Sequence, residues 1–316
     1  MSSGLGTNTM NVVIDAAHLL WDVCRHILLS GVKWVVKPEE KSIMDDICLI
    51  TGSGGGIGKH FALEFAKKGA ILVLWDSDPE CNEETAKEVR RLGARAFTYT
   101  CDTGDRQQVY QVAERVRREV GDVTILLNHP STGTGKSLLH CQDEELENAL
   151  RTNCLANFWT VKAFLPRMNQ MNHGHVINVA SYLGLFATAN MEDYCTAHFA
   201  TVGFHEALSH ELKARRISGV KTTLLCPYLA DIEMYSSFKI RKDLATLFTP
   251  LTSEYFARRA INGILTDQPM ICMPKLLYLA AFLKQVLPWE VQELCHSLIR
   301  NREKPAGTQS HYSNQG

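Results

Sequence analysis

The segment "ICLITGSGGGIG", residues 47–58, decides the fold of this chain. Its first five residues are apolar or β-branched, which is typical of a buried strand. Glycines follow that let the backbone turn sharply. The next residues, "HFALEFAKKGA" (60–70), have the apolar spacing of a helix. A strand that leads through a glycine turn into a helix is the opening of a β-α-β unit.

The same alternation continues along the chain. Further strands are predicted at 71–76, 94–102, 123–129, 175–181 and 220–227, and further helices at 81–93 and 106–121. This order predicts an α/β fold with a single Rossmann-like, doubly wound parallel sheet and helices on both faces. Ligands of such sheets bind beyond the carboxyl ends of the strands. The pattern gives no internal repeat and no second domain.

The composition argues against two kinds of ligand. The chain has 316 residues, is 45% hydrophobic and 21% charged, and carries a net charge of -1. A near-neutral chain gives no reason to expect nucleic acid, which calls for a concentrated basic face. The ten cysteines form no CxxC pair and no zinc spacing, so we expect reduced thiols and no metal site.

The N-terminal segment 1–41 contains a mostly apolar stretch, residues 10–36, that is expected to form an amphipathic helix. Polar residues recur in it at steps of three and four: Asn11, Asp15, His18, Asp22 and Arg25. Its charges make it a poor spanning helix, and it lacks the cleavage site of a signal peptide. We expect it to lie in a membrane interface with Trp21 and Trp34 at headgroup depth. The alternative is a helix docked on its own domain or on a dimer partner.

The C-terminal part of the chain divides into an apolar helical extension, 269–299, and a polar tail, 300–316. Lys284 and Pro288 interrupt the apolar segment 275–299. Two interpretations stay open: the segment joins the same membrane surface, or it covers a substrate pocket. The tail has no apolar periodicity and is predicted to be disordered.

The glycine turn from Thr51 to Gly58 predicts a dinucleotide site. Glycines allow close approach to a pyrophosphate, and the following helix offers free N–H groups and its positive dipole end. Asp76 ends the next predicted strand, where its carboxylate could accept hydrogen bonds from both ribose hydroxyls of an adenosine. Because that charge would repel a 2'-phosphate, NAD is favoured over NADP. The plainer interpretation of Asp76 is a solvated turn carboxylate.

These features resemble the short-chain dehydrogenase/reductase family, and the resemblance extends over about residues 45–265. We place the corresponding domain at residues 45–268. The family's phosphate loop TGxxxGIG is matched by Thr51, Gly52, Gly56, Ile57 and Gly58. The resemblance implies an adenine contact at Asp102, further cofactor contacts at Asn128 and Pro227, and a water-holding asparagine at Asn153. It implies a catalytic serine at Ser181, in "VINVASYLG", and a catalytic tyrosine at Tyr194, in "DYCTAHFATVGF".

The flanking segments look most like the 16C branch of the family, the epidermal retinol dehydrogenase group, and within it the member-6 type. The resemblance implies a retinol-like or steroid-like alcohol or ketone as substrate and an endoplasmic reticulum or lipid-droplet membrane, with the catalytic domain facing the cytosol. It also implies a homodimer.

Position 198 departs from the family, whose lysine one turn after the tyrosine favours the phenolate and binds the nicotinamide ribose. Here the residue is His198, which is shorter and, with an ordinary pKa near ~6.5, mostly neutral at pH 7. It is interpreted either as an imperfect substitute that still helps catalysis or as a residue that only fills the lysine's space.

Two more departures fall in the same pocket. The family's NNAG turn reads "NHPS" (128–131), and Ile232 stands where a threonine would hold the carboxamide. The sequence therefore leaves two hypotheses. The first is a lipophilic-alcohol oxidoreductase impaired by His198, and the second is a catalytically inactive family member that acts at a membrane surface.

Overall fold

The structure is a computed structural model that describes residues 11–12, 14–25, 28–29, 36, 38–129, 132–228 and 251–299, the last five by backbone only. The chain divides into two compact units, Met1–Lys41 and Ser42–Gly316. The predicted tail 300–316, together with Pro130, Ser131, Ile232 and Trp34, lies outside the described residues.

In the first unit, the described residues between 11 and 29 are helical and their side chains are exposed. Trp21, for example, is 70% exposed. Among the described residues, no helix combines the length and the apolar character needed to cross a bilayer.

The second unit contains one seven-stranded parallel sheet with the strand order β3-β2-β1-β4-β5-β6-β7. The strands are β1 (Ile47–Thr51), β2 (Ile71–Asp76), β3 (Ala96–Thr100), β4 (Ile125–Asn128), β5 (Gly174–Val179), β6 (Val220–Pro227) and β7 (Met270–Met273). The helices are α1 (Gly56–Lys67), α2 (Pro79–Arg91), α3 (Arg106–Glu119), α4 (Asp143–Leu150), α5 (Ala156–Met171), α6 (Glu192–Ala214), α7 (Ser253–Leu265), α8 (Leu276–Val286) and α9 (Trp289–Ile299). The predicted fold class is confirmed.

The helices cover both faces of the sheet. Alternate strand residues point to opposite faces, and because residues of both sets are apolar, each face needs helices to bury it. Leu49 belongs to the core cluster shared with α3, α5 and α6, whereas its neighbour Ile50 belongs to the cluster shared with α1, α2 and α7. Both side chains are fully buried, which explains why the strand reads as a continuous apolar run.

The strand order reverses at β1, which lies between β2 and β4. The chain leaves β1 and β4 in opposite directions, which opens a crevice at the carboxyl ends of these two strands. Ligands of doubly wound sheets bind in such a crevice. The glycine turn follows β1, and His129 follows β4, so both meet at this crevice.

A third buried cluster lies near the carboxyl ends of β5 and β6 and joins Tyr182, Tyr194, Tyr228 and Leu277. Leu277 comes from α8, which brings the C-terminal extension to this end of the sheet. The single apolar segment 275–299 forms two helices, separated at Leu287 and Pro288.

Candidate active site

The phosphate loop requires glycine at particular positions. Gly52 and Gly56 have φ values of +63° and +51°. A Cβ on Gly58 would lie 2.0 Å from the Gly52 carbonyl oxygen, and a Cβ on Gly52 would lie 2.3 Å from the His129 carbonyl oxygen. A Cβ on Gly55, in contrast, would meet no described atom within 4 Å. The loop is therefore closed on its protein side and open at Gly55, at the start of α1.

A buried polar cluster holds this loop against β2 and α2. Ser53 Oγ lies 2.8 Å from Asn82 Oδ1 and donates to it, and Thr85 Oγ1 donates to the Ser53 carbonyl oxygen at 2.9 Å. The Asn82 amide donates in turn to the Leu74 carbonyl oxygen at 3.0 Å. All three side chains are buried and hydrogen-bonded, so the loop conformation is fixed without a ligand.

Asp76 ends β2 beside the phosphate loop. Its Oδ2 accepts a hydrogen bond from the Gly54 N–H at 2.8 Å, and its Oδ1 accepts from the Asp78 N–H at 2.9 Å. Each oxygen keeps a second lone pair for a ligand hydroxyl. Asp102 lies beyond the end of β3, is exposed, and accepts from the Gly104 N–H at 2.8 Å.

Ser181 and Tyr194 lie at the carboxyl end of β5 and in the first turn of α6. Ser181 caps the 3-10 turn Tyr182–Gly184, and its Oγ accepts from the Leu183 N–H at 3.2 Å. Helix α6 packs against this turn. Both side chains are buried, at 2% and 3% exposure, so the structure brings the predicted pair into one water-poor region.

His198 lies one helical turn after Tyr194, and their ring centroids are 4.1 Å apart. Its side chain is 1% exposed, and neither ring nitrogen has a hydrogen-bond partner among the residues that the structure describes. Burial, with a smaller contribution from nearby His129, lowers the pKa of His198 to about 3. The imidazole is therefore neutral at pH 7 and provides no cation beside Tyr194.

His129 lies across the phosphate loop, a contact that sequence reasoning missed. Its backbone N–H donates to Thr51 Oγ1 at 2.9 Å, and its Nδ1 is 3.3 Å from the Gly52 carbonyl oxygen. Burial lowers the pKa of His129. The sequence feature that could have indicated this contact is a histidine in the turn after β4, at a position where the family has an asparagine.

Asn153 holds the segment that follows β4. It lies in the π-turn Arg151–Leu155, accepts from the Thr132 N–H at 2.9 Å and donates to the Thr132 carbonyl oxygen. Its own carbonyl oxygen accepts from Thr201 Oγ1 at 2.9 Å. The amide group of Asn153 is thus engaged by the protein.

Asn128 is also engaged by the protein. Its amide donates to Asn178 Oδ1 at 2.9 Å, and its Oδ1 accepts from Thr160 Oγ1 at 2.8 Å. Asn178 donates in turn to His205 Nδ1 at 3.1 Å, and burial lowers the pKa of His205 to about 4. This buried chain ties β4 to β5, so Asn128 shapes the crevice through the strand ends.

Among the residues that the structure describes, the far side of the site includes a proline, two tyrosines and a lysine. Pro227 ends β6, and the Tyr228 ring that follows packs edge-on against Tyr182 with centroids 4.6 Å apart. Lys284 from α8 donates from Nζ to the Leu185 carbonyl oxygen at 2.6 Å. The sequence marked Lys284 only as an interruption of an apolar segment.

Comparisons with known proteins agree with this arrangement. The family model for short chain dehydrogenases matches residues 46–242. Human retinol dehydrogenase 10 is 47% identical over 306 residues, and the match covers 89% of this chain and 90% of the relative; the rat protein gives the same values.

Two solved structures share the fold. A short chain dehydrogenase/reductase from Burkholderia phymatum in complex with NAD has a TM-score of 0.69 at 24% identity, covering 84% of this chain and 99% of that one. A metagenomic short-chain oxidoreductase in complex with NADP has a TM-score of 0.62 at 22% identity, covering 74% of this chain and 98% of that one.

Proposed function

Because this chain belongs to the short-chain dehydrogenase/reductase family, we propose that it is a nicotinamide-dependent oxidoreductase of lipophilic, retinol-like or steroid-like alcohols. The observation that carries the proposal is the buried pair Ser181 and Tyr194, placed at the same end of the sheet as the phosphate loop. The relationship to retinol dehydrogenases supports the substrate class.

The residues present fit a dinucleotide. The open side of the loop at Gly55 leaves room for a pyrophosphate, and α1 begins there without a side-chain cap among the described residues. Asp76 carries a negative charge beside this space, which favours NAD over NADP, whose 2'-phosphate it would repel. When bound, the nicotinamide would accept or donate the hydride.

The chain's own part in alcohol oxidation is to bind the hydroxyl and remove its proton. Ser181 would donate a hydrogen bond to the substrate oxygen, and Tyr194, in its phenolate form, would accept the hydroxyl proton as the carbonyl forms. Asn153 would support this step through the segment at Thr132, which it holds by two hydrogen bonds. Burial of the pair keeps water away from the reacting carbon.

His198 limits this chemistry at neutral pH. A tyrosine with an ordinary pKa near ~10 is almost entirely protonated at pH 7, and a neighbouring cation would favour its ionised form. The neutral imidazole at position 198 gives no such help. We therefore expect slow turnover that rises with pH.

The neutral state of His198 also favours a second candidate, a catalytically inactive family member that acts at a membrane or lipid surface. The exposed apolar residues of the first unit, among them Leu19, Leu20 and Trp21, support attachment of either form to a membrane. Endoplasmic reticulum or lipid-droplet localisation and a homodimer stay predictions.

NADH binding and retinol turnover, measured side by side, test these alternatives. In the His198→Lys variant we expect turnover at pH 7 to rise about tenfold for each unit by which the cation lowers the tyrosine pKa. The rate increase with pH should move to lower pH. The His198→Gln variant is the matched neutral control and should keep the wild-type profile.

The two candidates give different results in this experiment. Folded protein that binds NADH but turns over no retinol or steroid alcohol, in either the wild type or His198→Lys, would contradict the oxidoreductase and support the inactive form. Robust wild-type turnover would contradict the inactive form.

A further inference from the structure

The ring of His129 lies along the phosphate loop. A Cβ built on Gly58 would lie 3.1 Å from His129 Nδ1, and one built on Gly52 would lie 3.2 Å from the same nitrogen. A Cβ built on Gly56 would lie 4.0 Å from His129 Cε1. Gly56 is the first residue of α1, so the Cε1 edge of the ring lies beside the start of that helix.

The hydrogen bond at Nδ1 determines which ring nitrogen carries the hydrogen. Nδ1 lies 3.3 Å from the Gly52 carbonyl oxygen, and because a carbonyl oxygen only accepts, Nδ1 is the donor. In the neutral ring Nε2 is then an acceptor with a free lone pair. Among the residues that the structure describes, none is hydrogen-bonded to Nε2. His129 is only half-buried, so a ligand in the crevice can reach it.

We propose that His129 binds the pyrophosphate of the dinucleotide through Nε2 and takes up one proton from solvent as it does so. This inference rests on the proposed function, in which the pyrophosphate lies at the open side of the loop beside α1. A pyrophosphate oxygen only accepts hydrogen bonds, and so does Nε2 of the neutral ring, so the two do not bond. Protonation of Nε2 gives an N–H donor and a positive charge that pairs with the anion.

The charges around His129 set the direction of the pH dependence. Burial lowers the pKa of His129 in the free protein, and the negative charge of Asp76 opposes this effect. His198, the nearby imidazole of α6, is neutral at pH 7 because its own pKa is about 3. The free protein therefore holds His129 mostly neutral at pH 7, and an anion beside Nε2 raises its pKa. Since the ligand prefers the protonated ring, affinity for the dinucleotide rises as the pH falls.

This property depends on the residue that this chain has at position 129. The family's NNAG turn has an asparagine there, and an amide group gains no proton in this pH range. The effect on binding is also opposite in sign to the one expected for turnover, which rises with pH as Tyr194 ionises. Binding and turnover therefore separate the two histidines of the pocket.

Isothermal titration calorimetry with ADP-ribose tests the proposal on the full chain. ADP-ribose contains the adenosine and the pyrophosphate but no nicotinamide. We expect its affinity to rise about tenfold from pH 8 to pH 6, because a neighbouring anion favours the protonated ring. At pH 7, titrations in buffers of different ionisation enthalpy should show net proton uptake. Adenosine, which lacks the pyrophosphate, should bind without proton uptake.

Two variants assign the proton to one residue. His129→Asn keeps the backbone N–H that donates to Thr51 Oγ1 and removes the titrating ring, so its affinity for ADP-ribose should be the same at pH 8 and pH 6. His60→Asn, at a half-buried histidine of α1, is the matched control and should keep the wild-type pH dependence. Thermal unfolding midpoints check that both variants are folded, and the wild-type proton uptake is measured without any variant.

Two results would overturn the proposal while the proposed function stands. In the first, ADP-ribose binds the wild type equally at pH 8 and pH 6 without proton uptake. In the second, folded His129→Asn keeps the wild-type pH dependence, so that another group takes up the proton. If the wild type binds neither ADP-ribose nor NADH at any pH, the proposed function fails as well, and the two failures are therefore distinguishable.

Discussion

At the scale of single residues, His198 connects stability and chemistry. Its ring is buried without hydrogen-bond partners among the described residues, next to the aromatic ring of Tyr194. An unpaired buried polar group costs free energy. Burial of this ring therefore lowers the free energy of unfolding. The loss is larger at pH values where the histidine is protonated in the unfolded chain.

The first prediction concerns acid stability. Below pH 6.5 the unfolded chain protonates this histidine, whereas in the folded chain its pKa is about 3. The unfolded state therefore binds more protons between pH 6.5 and 3, and the free energy of unfolding falls as the pH falls through this window. From pH 7 to 5 the loss due to His198 is about 2 kcal/mol.

Urea unfolding at pH 7 and pH 5 measures this effect. His198→Phe keeps a ring of similar size and should lose about 2 kcal/mol less than the wild type over this interval. His210→Phe, at an exposed position of the same helix, should follow the wild type. Equal pH dependence in all three proteins would show that His198 titrates normally in the folded state.

The second prediction separates two glycines of the phosphate loop. In Gly58→Ala the new Cβ would meet the Gly52 carbonyl oxygen, so we expect the unfolding free energy to drop by about 2 kcal/mol and NADH binding to be lost. In Gly55→Ala the new Cβ would enter open space from an extended backbone, φ −162°, so stability should change by less than about 0.5 kcal/mol.

The Gly55→Ala variant also tests where the pyrophosphate binds. If the ligand fills the open side of the loop, this variant weakens NADH binding, measured by fluorescence titration, while its thermal midpoint stays at the wild-type value. Unchanged NADH affinity would place the pyrophosphate elsewhere.

The candidate site could be predicted from the sequence only where spacing carries the information. Gly58 follows from the pattern of strand, glycine turn and helix, whereas Ser181 and Tyr194 follow from the resemblance to the family's motifs. The engagement of Asn128 with Asn178 does not, because it depends on the register between β4 and β5. The His129 contact with Gly52 likewise arises between segments 77 residues apart.

At the scale of elements, helix α6 carries both Tyr194 and His198 and continues to Ala214. Its outer part contains Gly203, which is exposed and whose added Cβ would meet no described atom within 4 Å. Glycine in a helix interior is less favourable than alanine because it loses more backbone entropy on folding. No contact near Gly203 offsets this loss among the described residues.

The third prediction follows from this position. Gly203→Ala should raise the free energy of unfolding by about 0.5–1 kcal/mol, seen as a higher urea midpoint with an unchanged slope. Gly184→Ala is the contrasting variant, because its Cβ would lie 2.8 Å from the His198 carbonyl oxygen, and it should destabilise. A Gly203→Ala protein no more stable than wild type would point to a contact that this residue makes in an assembly.

The elements themselves were predictable to different degrees. The predicted strand 71–76 matches the observed β2 because its continuous apolar run marks a strand buried on both faces. The predicted strand 220–227 matches β6, which is buried from Thr223 onward. Strand β7 was missed, since its four residues, Met270–Met273, are too short a run to separate strand from turn. The inward position of Lys284 is a tertiary contact that helical periodicity would have placed outside.

At the scale of the whole molecule, the fold is determined within the second unit. The sheet and the clusters on both its faces begin after residue 41, and Ile43 is the first buried core residue among those that the structure describes. The boundary between the two units lies at Lys41 and Ser42, and the membrane-associating segment at 1–41 and the dinucleotide-binding domain from 45 onward stay predictions. Strand alternation identifies the domain, whereas the partner of an amphipathic helix cannot be read from its periodicity alone.

The last prediction concerns removal of residues 1–41. The remaining chain should keep its near-ultraviolet circular dichroism and lose only the far-ultraviolet signal of the removed helix, because Ile43 and the cores on both sheet faces are retained. Its partitioning to phosphatidylcholine–phosphatidylserine vesicles, measured by flotation, should fall at least about tenfold, since the helix with exposed Trp21 is lost. A truncated protein that floats as well as the full chain would show that the N-terminal helix packs on protein instead, which is the alternative that its sequence left open.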